Sequence, residues 1–200
     1  VELIALGLFA MALSYLIGAI PFGFLIVKLM YRQDIRQLGS GNPGATNVWR
    51  CFGKWPGIST LLLDLLKGII PVLAVNKIFP QYEILPIFCG LAAITGHNWN
   101  IFLRGKGGKG VATSAGVFLA LMPREFGIAL IVFLAVLLIS RRVSISSICG
   151  AVALVTSVCL FPERYYFRLL AIVASLMILL KHIPNFRRLL KGEEPKVKIS

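Results

Sequence analysis

Apolar residues fill seven long stretches of the chain, at roughly 3–30, 57–79, 84–100, 107–123, 124–140, 144–161 and 164–181, and short polar or basic segments separate them. Stretches of this length predict membrane-spanning helices. The third and fourth hold about 17 residues, which at ~1.5 Å per residue only just cross a hydrocarbon core of ~30 Å. Two readings therefore stand, seven crossings or five crossings with a re-entrant pair. Gly18, Pro21 and Gly23 in the first stretch, Pro71 in the second and Pro86 in the third predict kinks, because a proline inside a helix removes a ladder hydrogen bond. Asp64 and Lys67 lie three residues apart on one helical face, so each can neutralise the other at depth. That pair reads either as structural or as facing a site.

The fold class that follows is all-α, a polytopic membrane helix bundle with seven transmembrane helices. There is no internal repeat, no low-complexity linker and no polar stretch long enough for a second domain, so residues 1–200 are expected to form a single integral-membrane domain. Composition agrees: 58% of residues are hydrophobic, 14% are charged and the mean hydropathy is +0.84. No soluble globular domain needs so much apolar surface.

The formal net charge is +13, and its placement sets the orientation. With the N-terminus outside and the C-terminus cytoplasmic, sixteen cations and three acids (Asp34, Glu193, Glu194) fall on the inner side, against four of each on the outer side. That is the bias expected of cytoplasmic loops. The cations are divided among short loops, and no basic helix is long enough to follow a duplex, which excludes nucleic acid as a partner. Membrane lipids and phosphorylated small molecules fit better. Glu2 stands where a signal peptide would carry basic residues, so the first stretch is expected to remain as a helix. Cys51, Cys89, Cys149 and Cys159 have no metal-binding spacing and are expected to be reduced packing residues.

Two segments poor in bulky apolar side chains interrupt this pattern. Ser40, Gly41, Asn42, Gly44, Thr46, Asn47 and Arg50 crowd one loop. Glycines let backbone amides approach an anion, the hydroxyls and amides donate, and an Arg fork can clamp a phosphate. The second segment, Gly105 to Thr113, spells GxGxxG but has apolar helical runs on both sides, so it is not a dinucleotide fingerprint. It is not a Walker A loop either. What remains is a glycine loop with Lys106 and Lys109 opening a helix, whose amides and dipole favour an anion. Arg141, Arg142, Ser144, Ser146 and Ser147 form a weaker third group. Lys181, His182, Asn185, Arg187 and Arg188, with the following Gly192, Glu193 and Glu194, form the fourth. His182 is the candidate general base and His97 its competitor. The chain lacks HExxH, GxSxG and a His followed five residues on by Asp, and holds only two aspartates, so metal, Ser-His-Asp and paired-carboxylate chemistry are poorly supplied.

Three strings together resemble a known family: Ser40 to Asn47 with Arg50; Gly96-His97 through Lys106-Gly107-Gly108-Lys109-Gly110-Val111-Ala112-Thr113; and Asn185 with Arg188-Leu189, Gly192 and Glu194. They resemble the three motifs of bacterial acyl-phosphate:glycerol-3-phosphate acyltransferases, the PlsY family, over nearly the whole chain. Asn100, where that family is expected to carry proline, and Gly105, where it is expected to carry an aromatic residue, depart from its pattern. The resemblance implies transfer of a fatty acyl group from acyl phosphate to the 1-hydroxyl of glycerol 3-phosphate, giving lysophosphatidic acid and phosphate. It implies no cofactor, no metal, no acyl-CoA and no acyl-carrier protein. The expected location is the bacterial cytoplasmic (inner) membrane, multi-pass, with the active site at the cytoplasmic face.

On this reading the candidate catalytic residues are His182, Asn185, Lys109 and Ser147. The candidate substrate-binding residues are Ser40, Gly41, Asn42, Gly44, Thr46, Asn47, Arg50, His97, Lys106, Gly107, Gly108, Gly110, Thr113 and Arg188. An acyl phosphate is already activated, so aligning the hydroxyl, holding two anions together and supporting charge on the departing phosphate suffice. Either His182 or the acyl-phosphate oxygens take the proton. The rival function is an organic-phosphate transporter, which also wants broken helices and inward cations; the polar residues, however, gather at one face instead of the midplane.

Overall fold

The computed structural model describes residues 2–160 and 165–197, and all regular structure among them is helical. Phe161, Arg164 and Lys198, at the edges of the sixth and seventh stretches and in the tail, lie outside the described residues, as does Glu163. The chain divides into two compact units, Val1–Ala120 and Leu121–Ser200.

In the first unit, the first apolar stretch is one span broken in two, α1 (Glu2–Ala19) and α2 (Phe22–Tyr31). The break falls at Pro21, since proline disfavours helical backbone in the residue before it. Helix α1 therefore ends with carbonyls that have no helical donor. Asn100 supplies one to Ala19 O and Lys67 another to Ile20 O, the latter at 2.8 Å, so a cation caps the negative end of the helix. The loop that follows is more ordered than its turn-rich composition suggests. A 3₁₀ turn at Ile35–Gln37 and helix α3 (Ala45–Phe52) bury Ile35 and Val48 against Val27 of α2.

Helix α4 (Lys54–Ile78) runs through Pro71 without interruption, whereas Pro86 lies in the first turn of α5 (Leu85–Asn98), where a missing amide costs nothing. Of the expected kinks, only the one at Pro21 breaks a helix. The unit closes with a 3₁₀ turn at Ile101–Leu103 and helix α6 (Val111–Leu121). Helices α1 and α5 pack at Gly18 and Gly96, where a Cβ would strike the backbone of Ala93 and of Tyr15. Helix α6 meets α4 in the same way, at Gly68 and Gly116. Such small-residue contacts let backbones approach where lipid offers no hydrophobic drive. Of the cysteines, Cys89 packs as expected, between Ala10 and Val75, but Cys51 and Cys159 are exposed.

The second unit comprises α7 (Pro123–Ser140), α8 (Val143–Cys159), α9 (Tyr165–Lys181) and α10 (Ile183–Leu190). Helix α8 packs on both α7 and α9, and Ser175 of α9 donates to Ala151 O of α8 at 3.2 Å. Helix α10 leaves α9 at a bend of 51°.

Among the described residues, three segments are long and apolar enough to cross a membrane: Ile4–Tyr31 taken through its break, α4 and α7. The bent pair α9 and α10 makes a fourth if counted as one. Helices α6 and α8, with 11 and 17 residues, span ~17 and ~26 Å and fall short of a ~30 Å core when straight. Large apolar side chains such as Leu29, Ile131, Leu138 and Ile139 face outward, as they do on helices solvated by lipid.

Candidate active site

The first loop is built around Asn47. Its Oδ1 accepts the Ser40 N–H at 2.9 Å, and its Nδ2 donates to Leu38 O at 3.0 Å, so one buried amide fixes the turn that precedes α3. Asn42 does the same locally, its Oδ1 accepting from Gly44 N at 2.9 Å. At the entry to the loop, Asp34 is hydrogen-bonded and paired to Arg36 at 2.6 Å, which holds its carboxyl down at about 2. The expected ligand-binding set thus splits. Asn42 and Asn47 hold the loop's shape, while Ser40, Thr46 and Arg50 are exposed, and Thr46 and Arg50 lie one turn apart on α3.

The glycine loop owes its composition to close packing. A Cβ at Gly107 would strike the His97 carbonyl, one at Gly108 the His97 imidazole and one at Gly110 the Asn98 side chain. The Gly108 amide was expected to help bind phosphate, but its N–H donates to His97 O at 3.0 Å and so serves the fold. Lys106 is exposed and Lys109 half-buried. Thr113, in the first turn of α6, is fully buried, and its hydroxyl has no hydrogen-bond partner among the described residues. Pro43 of the first loop and Gly108 of the glycine loop line one small cavity, together with His97, Asn100, Asp64 and Lys67. The two loops that the sequence singles out therefore come together. Asn100, one of the two departures from the motif, accepts from Phe102 N and Leu103 N and so shapes the turn between them.

In the second unit, His182 caps the bend into α10, and Asn185 and Arg188 follow at intervals of three on one helical face. His182 is buried, and its Nδ1 lies 2.8 Å from Ile178 O. A carbonyl can only accept, so Nδ1 carries the hydrogen and Nε2 is the basic nitrogen. Ser147 is buried and donates to Val143 O at 2.8 Å, which leaves its oxygen able to accept but directs its hydrogen into its own helix.

Glu194 is the residue that the sequence left without a role. Asn185 Nδ2 donates to its Oε1 at 2.7 Å, and Arg188 Nε to its Oε2 at 2.8 Å. Arg142 Nε donates to its backbone carbonyl at 3.3 Å, and Val197 N to Arg141 O at 2.7 Å. The tail is thereby folded onto the start of α8. Burial pushes the Glu194 carboxyl up, but Asn185, Ser144 and Arg188 together outweigh it and hold the group below its ordinary value. Since a carboxylate only accepts, Asn185 must present its NH₂ there, and its buried Oδ1 has no hydrogen-bond partner among the described residues. Two signals in the sequence pointed this way, a lone pair of acids in a basic tail and the place of Glu194 beside Asn185 and Arg188 in the third motif.

The model of one family, glycerol-3-phosphate acyltransferase, matches residues 8–192. The chain belongs to that family. The glycerol-3-phosphate acyltransferase of Desulforamulus reducens is 43% identical over 184 residues, which is 92% of each chain. Among solved structures, the fold matches PlsY, described as an integral membrane glycerol 3-phosphate acyltransferase, in its glycerol 3-phosphate form, with a TM-score of 0.91, 38% identity and 96% of each chain covered. The lysophosphatidic acid form of PlsY matches with a TM-score of 0.87 at 38% identity, over 96% of this chain and 95% of that one. Together with the apolar helices, the family makes this a multi-pass membrane protein.

Proposed function

We propose that the chain transfers a fatty acyl group from acyl phosphate to the 1-hydroxyl of glycerol 3-phosphate, releasing lysophosphatidic acid and inorganic phosphate. The observation that carries this is the likeness, along almost the whole chain, to an acyltransferase solved with glycerol 3-phosphate. Acyl transfer to glycerol 3-phosphate is the activity of the family, and the acyl-phosphate donor is the finer part of the proposal.

The residues suit the chemistry. Ser40, Thr46, Arg50 and Lys109 hold the phosphates, helped by the hydroxyl of Thr113 and the free face of the glycine loop. Asn185 and Arg188 orient glycerol 3-phosphate, with Asn185 Oδ1 accepting from a substrate hydroxyl. Ser147 offers its oxygen as a further acceptor. The attacking hydroxyl adds to the acyl carbonyl, the C–O bond to phosphate breaks, and the proton passes to His182 Nε2 or to a phosphate oxygen. The transfer needs no metal, acyl-CoA or acyl-carrier protein.

Residues 1–200 act as one integral-membrane domain with seven crossings, α5 and α6 being the shortest, in the bacterial inner membrane. The charge bias supports an outer N-terminus, a cytoplasmic C-terminus and a site on the cytoplasmic face. Purified protein in detergent, given acyl phosphate and labelled glycerol 3-phosphate in the presence of a chelator, should yield labelled lysophosphatidic acid. Label that stays unconverted there, yet accumulates in vesicles carrying the protein, would favour the transporter instead. Lys109→Ala and Arg50→Ala should each lose most activity at every pH, and near-normal turnover in either would overturn the phosphate assignment.

A further inference from the structure

We propose that Asp64 is a positioning residue for the glycine loop and acts on it through His97; this rests on reading that loop as the phosphate cradle. Asp64 Oδ1 and Lys67 Nζ are 2.7 Å apart and both residues are only 3% exposed. A pair that merely cancelled its own charge would need no third group. Here the same Oδ1 lies 3.7 Å from His97 Nδ1, and Lys67 is shared with the carbonyl of Ile20 at the break in the first span.

His97 in turn holds the loop at two points. Its carbonyl accepts the Gly108 N–H, and its Nε2 occupies the space that a Cβ on Gly108 would take. Carboxylate, imidazole and glycine backbone are thus in series, and the next residue is Lys109. At 3.7 Å the carboxylate is beyond hydrogen-bond reach of Nδ1, but its charge favours the hydrogen on that nitrogen and so biases the orientation of the ring. With the carboxylate gone, the ring loses the charge that faces Nδ1, and the support it gives Gly108 weakens, leaving the loop to its backbone bond to the His97 carbonyl and its packing on Asn98. Pro43 lines the same cavity, so the first loop shares this support.

Replacing Asp64 alone strands the Lys67 charge, so the test uses the charge-free pair Asp64→Leu/Lys67→Met in the full chain. Folding is followed by elution and unfolding temperature, and kinetics by lysophosphatidic acid formation. The pair variant should stay folded with KM for the phosphate-bearing substrates raised about tenfold, the size of coupling expected between neighbouring groups. His97→Ala should raise KM to the same degree in the native background, and by less than about twofold when added to the pair variant. Native KM in the pair variant, or an undiminished His97 effect in it, would overturn the proposal. If the pair variant does not fold, Asp64→Glu, which keeps a counter-ion for Lys67 but displaces the carboxylate from His97, carries the same expectation. Lys109→Ala separates the two readings. Loss there with a native-like pair variant removes only the role of Asp64, whereas native KM in Lys109→Ala removes the phosphate cradle itself.

Discussion

Asn185 donates its side-chain amide to Glu194 at 2.7 Å, across nine residues of sequence, and this contact folds the basic tail back onto α10. The carboxylate therefore aims a candidate catalytic amide, and Arg188 is held by its other oxygen. Glu194→Ala leaves both donors without an acceptor. The expected cost is about 1.5–3 kcal/mol, the range for a hydrogen bond to a charged group. Unfolding temperature in detergent should fall accordingly, and acyl transfer should fall further than stability does, because Asn185 loses its orientation. Unchanged activity in the variant would mean that the clamp does not aim Asn185.

The same carboxylate sets an acid limit. Its pKa in the folded protein lies below the ordinary value of 4.5, so its stabilisation is complete above that value and disappears as pH falls through the lower folded value. Unfolding temperature should therefore drop on acidification below about 4.5 more steeply in the native protein than in Glu194→Gln. Parallel curves would show that the group contributes nothing to the acid response.

Asn47 offers a test of the division between loop-shaping and ligand-binding residues. Asn47→Ala leaves the Ser40 N–H and the Leu38 carbonyl without their partner, at about 1–3 kcal/mol for each group that stays buried. Asn47→Asp keeps the acceptor for Ser40 but replaces the donor with a buried charge facing the Leu38 carbonyl, so it should lower the unfolding temperature at least as far as Asn47→Ala. A native-like unfolding temperature in Asn47→Asp would mean that the loop does not depend on the bond to Leu38.

Much of this was legible in the chain. The kink at Pro21, the Asp64–Lys67 pair and the two polar loops each follow from a local rule, whether of proline geometry, helical spacing or glycine content. The reason for the glycines was not. Backbone approach to an anion and backbone approach to His97 leave the same sequence mark, and only geometry shows that Gly107, Gly108 and Gly110 make room for α5. Glu194 was hidden for a different cause. Its partners are Asn185, Arg188 and Arg142, and a contact 52 residues away has no periodicity to betray it. Span lengths were overread at the fourth stretch, where the Gly-Lys segment extends to Gly110 and leaves only 11 residues of helix.

His182 is held so that one nitrogen is committed and the other is basic, since Nδ1 gives its hydrogen to Ile178 O. That arrangement makes two mechanisms separable. If Nε2 removes the proton from glycerol 3-phosphate, the log of the rate should fall on the acid side as the imidazole protonates, and His182→Ala should lose this limb together with about 10²- to 10⁴-fold in rate. Glycerol 3-phosphate binding, measured separately, should change far less. If the acyl-phosphate oxygens take the proton, His182→Ala should retain more than about a tenth of the rate, below what a general base contributes, and keep the native profile against pH. Because the ring also closes the bend between α9 and α10, His182→Gln, which retains a donor for the Ile178 carbonyl, distinguishes lost geometry from lost basicity. Rescue of the rate by glutamine would assign the proton to the substrate.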